Sequence, residues 1–193
     1  MAEENFVEED IRKRLILSGI RELDEHGTAD FSLRRVAQAS GVSCAAPYRH
    51  FKSRDDLVSE IIKYINSSWD LLFNELSLAL GGDTYKLIKA LAISTVGFFA
   101  ANANYRSVML SGLSLSGEKR SGEINHVCKK LGDLVTHYCE DNGIKSADEL
   151  AFSLCTAVWG SVILLDPNDK ASCKQASENL GKTVETIFAK SNR

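Results

Sequence analysis

At 193 residues the chain is long enough for one large domain or for a small head on a larger body. Its hydrophobic fraction of 44% and charged fraction of 25% are ordinary for a soluble globular protein. The net charge of −3 argues against a nonspecific nucleic-acid coat. Only two prolines are present, Pro47 and Pro167, which favours long uninterrupted helices and an all-α fold. The five cysteines, Cys44, Cys128, Cys139, Cys155 and Cys173, are odd in number and form no Cys-x-x-Cys pair. The N-terminus shows no positive stretch followed by an apolar core, so a reducing, cytoplasmic setting is expected.

In chain order, a first helix is predicted over Glu8–His26, where Val7, Ile11, Leu15, Ile16, Ile20 and Leu23 recur at three- and four-residue steps. Gly27 offers a helix C-cap, Phe31 an apolar plug and Ser32 an N-cap for a second helix. On that helix Leu33, Val36 and Ala37 face inward, while Arg34, Arg35 and Gln38 face out. Gly41 ends it, and Ser43 is expected to cap a third helix carrying Cys44 to His50. Ser53 caps a fourth, with Asp55 and Asp56 in its first turn and a stripe continuing through Leu57, Ile61, Ile65, Leu72 and Leu76. After Gly81-Gly82, further helices are expected over Thr84–Ala103, around Tyr105–Leu110, and over Glu123–Glu140, Ala147–Leu165 and Asn168–Lys190. Serines and glycines between Ser111 and Gly122 mark a surface loop. The apolar run Leu150–Leu165 is short for a bilayer span and reads as a buried helix of a soluble core.

Residues 31–51 thus form helix, glycine turn, second short helix: a helix-turn-helix, which lays its second helix in the DNA major groove. Between Ser32 and Arg54 stand Arg34, Arg35, Arg49, Lys52 and Arg54 with no acidic residue, while both flanks are acidic. A compact basic patch on an acidic protein suits local contact with phosphates. Phe31, Val36, Ala37, Val42, Tyr48 and Phe51 are expected to pack the two short helices against their longer neighbours.

The runs Phe31-Ser32-Leu33-Arg34-Arg35-Val36-Ala37, Ser40-Gly41-Val42-Ser43 and Pro47-Tyr48-Arg49-His50-Phe51-Lys52-Ser53-Arg54 resemble the tetracycline-repressor (TetR) family over about the first 65 residues. The resemblance implies a three-helix DNA-binding head (1–52) and an all-helical ligand-binding and dimerisation domain (53–193), about nine helices in total. It implies phosphate contacts from Tyr48, His50 and Lys52, and base reading by Arg34 and by Ser43, Cys44, Ala45 and Ala46. With Ser32, Arg35, Arg49 and Arg54 these make the candidate DNA-binding set. Cys44, Ala45, Ala46 and Pro47 depart from the family's commoner recognition-helix residues. Readout there would rest on thymine methyl contacts and on Arg34 or Arg49 for guanine.

The resemblance also implies pairing of the last two helices into a homodimer and an effector pocket in the body. Trp69, Phe73, Phe98, Phe99, Tyr105, Met109, Phe152 and Trp159 are the candidate lining for a small hydrophobic effector, although such stripes also read as ordinary core. His126 and His137, three turns apart, cannot share one ion, and no metal-binding, phosphate-loop or nucleophile-elbow motif is present. Neither metal, cofactor nor enzymatic activity is expected. The expected function is a cytoplasmic, dimeric transcriptional regulator, a ligand-responsive repressor of a pseudo-palindromic operator. Its rivals are a DNA-binding regulator with no effector and a helical small-molecule carrier or enzyme.

Overall fold

The structure is a computed structural model that describes residues 2–80, 82–112 and 125–191. These form nine helices and no strand: α1 (Ala2–His26), α2 (Leu33–Ala39), α3 (Pro47–His50), α4 (Arg54–Leu80), α5 (Thr84–Ala101), α6 (Ala103–Gly112), α7 (His126–Asn142), α8 (Ala147–Leu164) and α9 (Lys170–Ser191). The fold is all-α, as the proline scarcity and helical periodicity imply. The expected loop between Ser111 and Gly122 lies almost wholly outside the described residues, as do Glu123 and Ile124 of the expected seventh helix.

The described residues divide into two compact units, and α4 runs through both. The first unit contains α1, α2, α3, the start of α4 and residues 107–112 at the end of α6. Helices of seven and four residues are unstable alone. They persist because Phe31, Val36, Ala37 and Phe51 are buried among Leu15, Ile16, Ile20 and Leu23 of α1 and Leu57, Val58, Ile61 and Ile65 of α4. Each such side chain contributes about 1.5–3 kcal/mol on full burial. Gly19 lies at the α1–α4 crossing, where a Cβ would meet Ile61 Cδ1 at 2.6 Å. Arg12 ties the same two helices at the surface, pairing with Glu60 and lying 5.5 Å over the Phe51 ring.

Two expectations for the head are corrected. Tyr48 is not packed inside; it is 66% exposed, because buried Pro47 and Phe51 turn the intervening ring outward. The third helix does not span Cys44–His50 but begins at Pro47, preceded by a turn over Cys44–Ala46. Proline has no N–H to donate to the Ser43 carbonyl, so the helical ladder cannot run through that point. Pro47 instead takes the first helical position, where a missing donor costs least.

The second unit is built on α5, α7, α8 and α9. Their inward faces are Ile88, Leu91, Val96 and Phe99, then Val127, Leu131 and Val135, then Leu150, Leu154, Val158 and Val162, then Leu180, Val184 and Phe188. Trp69 is fully buried with its indole donating to Thr95 Oγ1 at 3.0 Å, and Thr95 donates onward to the Leu91 carbonyl at 2.7 Å. Arg106 donates to the carbonyls of Val162 (2.8 Å) and Ile163 (3.0 Å), satisfying the C-terminal end of α8. Both α5 and α8 have the length and apolar composition of a membrane-crossing helix, yet each builds one face into this helical core. The reading of Leu150–Leu165 as a wholly buried helix is corrected: only 22% of α8 is buried.

Candidate nucleic-acid interface

The entry to α2 is set by Ser32 and Glu22. Ser32 Oγ accepts the Arg35 backbone N–H (3.4 Å), and Glu22 Oε1 accepts the Ser32 N–H (3.0 Å). Glu22 is itself buried on α1 and holds Arg35 through both Nε (2.8 Å) and Nη2 (2.5 Å). Burial raises the Glu22 pKa, but the Arg35 and Ser32 hydrogen bonds and the charges of Arg35 and His26 outweigh it. The carboxyl therefore ends below its ordinary range. Arg35 also donates to the Asp30 carbonyl. Its guanidinium is engaged at the α1–α2 joint.

Gly41 makes the turn. At φ 68° it sits in the left-handed region, and the chain closes there with Val42 N–H to Ala37 O (3.1 Å) and Gly41 N–H to Gln38 O (3.1 Å). This is the paired arrangement that satisfies the last carbonyls of a helix and reverses its direction. Ser40 fastens the turn from below, its hydroxyl donating to the Val36 carbonyl at 2.8 Å. Ser43, Cys44 and Ala45 then lie exposed and Ala46 half-buried, followed by the single turn of α3.

The outer surface of the head carries Arg34, Gln38, Tyr48, Arg49 and Lys52, all exposed, with His50 half-buried beside Phe51. Gln38, outside the candidate DNA-binding set, lies exposed one turn beyond Arg34 on the same helix, a place its spacing signals. Arg54 is partly engaged elsewhere, lying 5.7 Å over the Phe31 ring with Nη2 3.5 Å from the Ala29 carbonyl. Lys52 is positioned by its backbone, whose N–H donates to Asp56 (2.8 Å), while Asp56 N–H donates to Ser53 Oγ (3.1 Å) and starts α4.

Residues 15–61, which span this whole arrangement, match the model of the bacterial regulatory proteins, tetR family. Over these residues the chain is similar to the tetR family. The chain is 29% identical over 85 residues to the transcriptional regulator AcrR of Shigella flexneri, a match covering 44% of this chain and 40% of AcrR. It is 26% identical over 135 residues to the nucleoid occlusion factor SlmA of Enterobacter sp. (strain 638), covering 68% of this chain and 67% of SlmA. In fold it is similar to the transcriptional regulator FadR of Bacillus subtilis, with a TM-score of 0.73 and 15% identity over 89% of this chain and 96% of that one.

Beyond the head, the candidate effector residues do not form one group. Phe98, Phe99, Tyr105 and Trp159 are joined by ring contacts of 5.2, 6.1 and 5.5 Å, and Trp69 stacks on Phe73 at 6.1 Å. Met109 belongs to the first unit. Phe152 is 75% exposed on α8, so it leaves the cavity-lining set as a correction. Two grooves that the sequence reading missed run along α8 and α9. One, of about 530 Å³, includes Leu150, Ser153, Thr183 and Ile187. The other, of about 480 Å³, includes Ala157, Gly160, Leu164, Ala176 and Leu180. His126 pairs with Asp70 (2.9 Å) and His137 with Asp141 (3.6 Å). Among the described residues no cluster of three or more metal-ligating side chains occurs.

Proposed function

We propose that this chain is a tetR-family regulator that acts as a homodimer on a pseudo-palindromic DNA operator, and that a small hydrophobic effector releases it. The observation carrying the DNA-binding mode is the head surface: Arg34, Tyr48, Arg49 and Lys52 are exposed around a tight glycine turn, with no carboxylate between Ser32 and Arg54. Backbone contacts from such residues position the head, and the slender Ser43–Ala46 turn admits close approach to base edges.

Dimerisation through α8 and α9 is supported by the apolar surface α8 leaves uncovered. Phe152, Ile163 and Leu164 are exposed, and the two grooves beside them mix aliphatic residues with serines, threonines, Glu149, Lys182, Gln175 and Asn179. Such a surface is what a large two-fold interface covers. Two-fold symmetry would set two heads on half-sites about 34–36 Å apart or a multiple of that.

The effector would occupy the second unit near Phe98, Phe99, Tyr105 and Trp159. FadR, whose fold this chain shares, was crystallised with stearoyl-CoA, which favours an acyl-type ligand class here. The effector lowers operator affinity by preferring a body conformation that misplaces the heads, so the proposed mode is repression relieved by ligand. The helix α4 runs unbroken from Arg54 to Leu80 and therefore carries both head residues and Trp69, making it the proposed lever. A cytoplasmic setting and the absence of enzymatic activity accompany this reading.

A second reading is a DNA-binding factor with no small-molecule effector; the longer match, to a protein named a nucleoid occlusion factor, goes with a role other than ligand sensing. Thermal-shift screening with acyl-CoA and other lipophilic compounds separates the two. An effector that binds the native state raises Tm in a concentration-dependent way, and its absence across the screen supports the second reading.

A further inference from the structure

Helices α7 and α8 bring two thiols together beside Trp159, a member of the aromatic cluster. Gly132 on α7 faces Ala151 on α8, 3.9 Å from where a Gly132 Cβ would lie, so the two helices approach closely. One turn further along each antiparallel helix stand Cys128 and Cys155, with Cys155 Sγ donating to the Cys128 carbonyl at 3.6 Å. One turn beyond Cys155, the Trp159 indole N–H donates to Cys128 Sγ at 3.1 Å. Both sulfurs belong to half-buried residues.

Cys128 also occupies the third position of α7, a 17-residue helix whose N-cap Asn125 makes no side-chain capping bond. Its sulfur is therefore near the positive end of the helix dipole, where a thiolate is favoured. The neighbouring Cys155 thiol and the Trp159 N–H, opposed by burial, bring the Cys128 thiol down to about 7. The adjacent Cys128 sulfur and burial push Cys155 up. The pair is thus polarised into one nucleophilic sulfur and one that keeps its proton. By contrast Cys139 is buried among apolar side chains, which raises its pKa.

We propose that Cys128 and Cys155 form a peroxide-reactive dithiol, with Cys128 as the attacking sulfur and Cys155 as the resolving one. The Cys128 thiolate attacks one oxygen of hydrogen peroxide; the O–O bond breaks and Cys128 becomes a sulfenic acid as water departs. The Cys155 sulfur then attacks the Cys128 sulfur, the S–O bond breaks, and a second water leaves with the Cys155 proton. Two thiols and one peroxide give one disulfide and two waters, the two electrons passing from the sulfurs to the peroxide oxygens.

The test uses the full chain, exposed to limiting hydrogen peroxide at neutral pH, blocked with N-ethylmaleimide and mapped by peptide mass spectrometry. The expected major product is a peptide pair linked through Cys128 and Cys155, formed before exposed Cys44 is oxidised. In Cys155→Ser the sulfenic acid should persist on Cys128 and be trapped by dimedone roughly tenfold faster than any adduct on Cys44. In Trp159→Phe that trapping should slow several-fold with the helical content unchanged. Should Cys155→Ser fail to fold, the wild-type peptide map decides alone. Oxidation that begins at Cys44 or Cys173, or that modifies Cys128 in the wild type without linking it to Cys155, overturns the proposal.

Discussion

Glu22 on α1 grips Arg35 on α2 through two guanidinium nitrogens while also accepting the Ser32 N–H, so one buried carboxylate fixes where the helix-turn-helix begins. Replacing Glu22 with Ala removes three charge-assisted bonds. It is expected to lower unfolding free energy by about 1–2 kcal/mol once solvent screening at half-exposed Arg35 is allowed for. The pH dependence has a definite sign. The Glu22 carboxyl is held below its ordinary value of 4.5, so its contribution is present above that pH and disappears as pH falls through the folded value. Urea melts of wild type and Glu22→Gln should therefore diverge above pH 5 and converge on acidification. A gap that is independent of pH counts against the assignment.

Two glycines give opposite signs for the same substitution. At Gly41 φ is 68°, and a Cβ would meet no atom within 4 Å, so Gly41→Ala is penalised by backbone conformation alone, at about 1–2 kcal/mol. Gly97 lies in the interior of α5, also with nothing within 4 Å, but in ordinary helical geometry. Gly97→Ala is expected to stabilise by about 0.5–1 kcal/mol. Thermal melts of the two variants should move Tm in opposite directions.

The uncovered face of α8 predicts the oligomeric state. Phe152→Asp combined with Leu164→Glu places two charges on an apolar surface that the chain itself does not bury. Sedimentation should show the wild type as a dimer and the double variant as a folded monomer, with weaker operator binding because two half-sites are no longer engaged together. A double variant that remains dimeric would remove α8 from the interface.

Much of the head was readable from residue types because its constraints are local. Gly41 is needed for a left-handed turn, Ser32 and Ser53 cap helices, and Phe31 and Phe51 are large apolar groups flanking short helices. The departures have both local and distant causes. The periodicity of Cys44–His50 says helix, but the missing Pro47 N–H interrupts the ladder. The charge of Arg35 suggests DNA, and the structure adds an ion pair to Glu22, thirteen residues earlier. In the body, α8 is apolar on nearly every face, so its sequence could not separate the face covered by its own chain from the one left open. Phe152 was placed in a cavity for that reason.

The central claim is that the exposed surface of residues 34–52 meets duplex DNA, with Arg34 as a contact and Arg35 as a support. Fragments selected from genomic DNA supply the ligand, and fluorescence anisotropy at several salt concentrations supplies the measurement. The account predicts sequence-selective binding that weakens steeply with salt. Arg34→Ala should reduce affinity or alter sequence preference while Tm stays within the wild-type range. Lys52→Ala should lower the salt slope by about one unit. Arg35→Ala should instead lower Tm. Binding that is indifferent to salt and sequence, or an Arg34→Ala protein that binds as the wild type does with the same preference, would contradict the account.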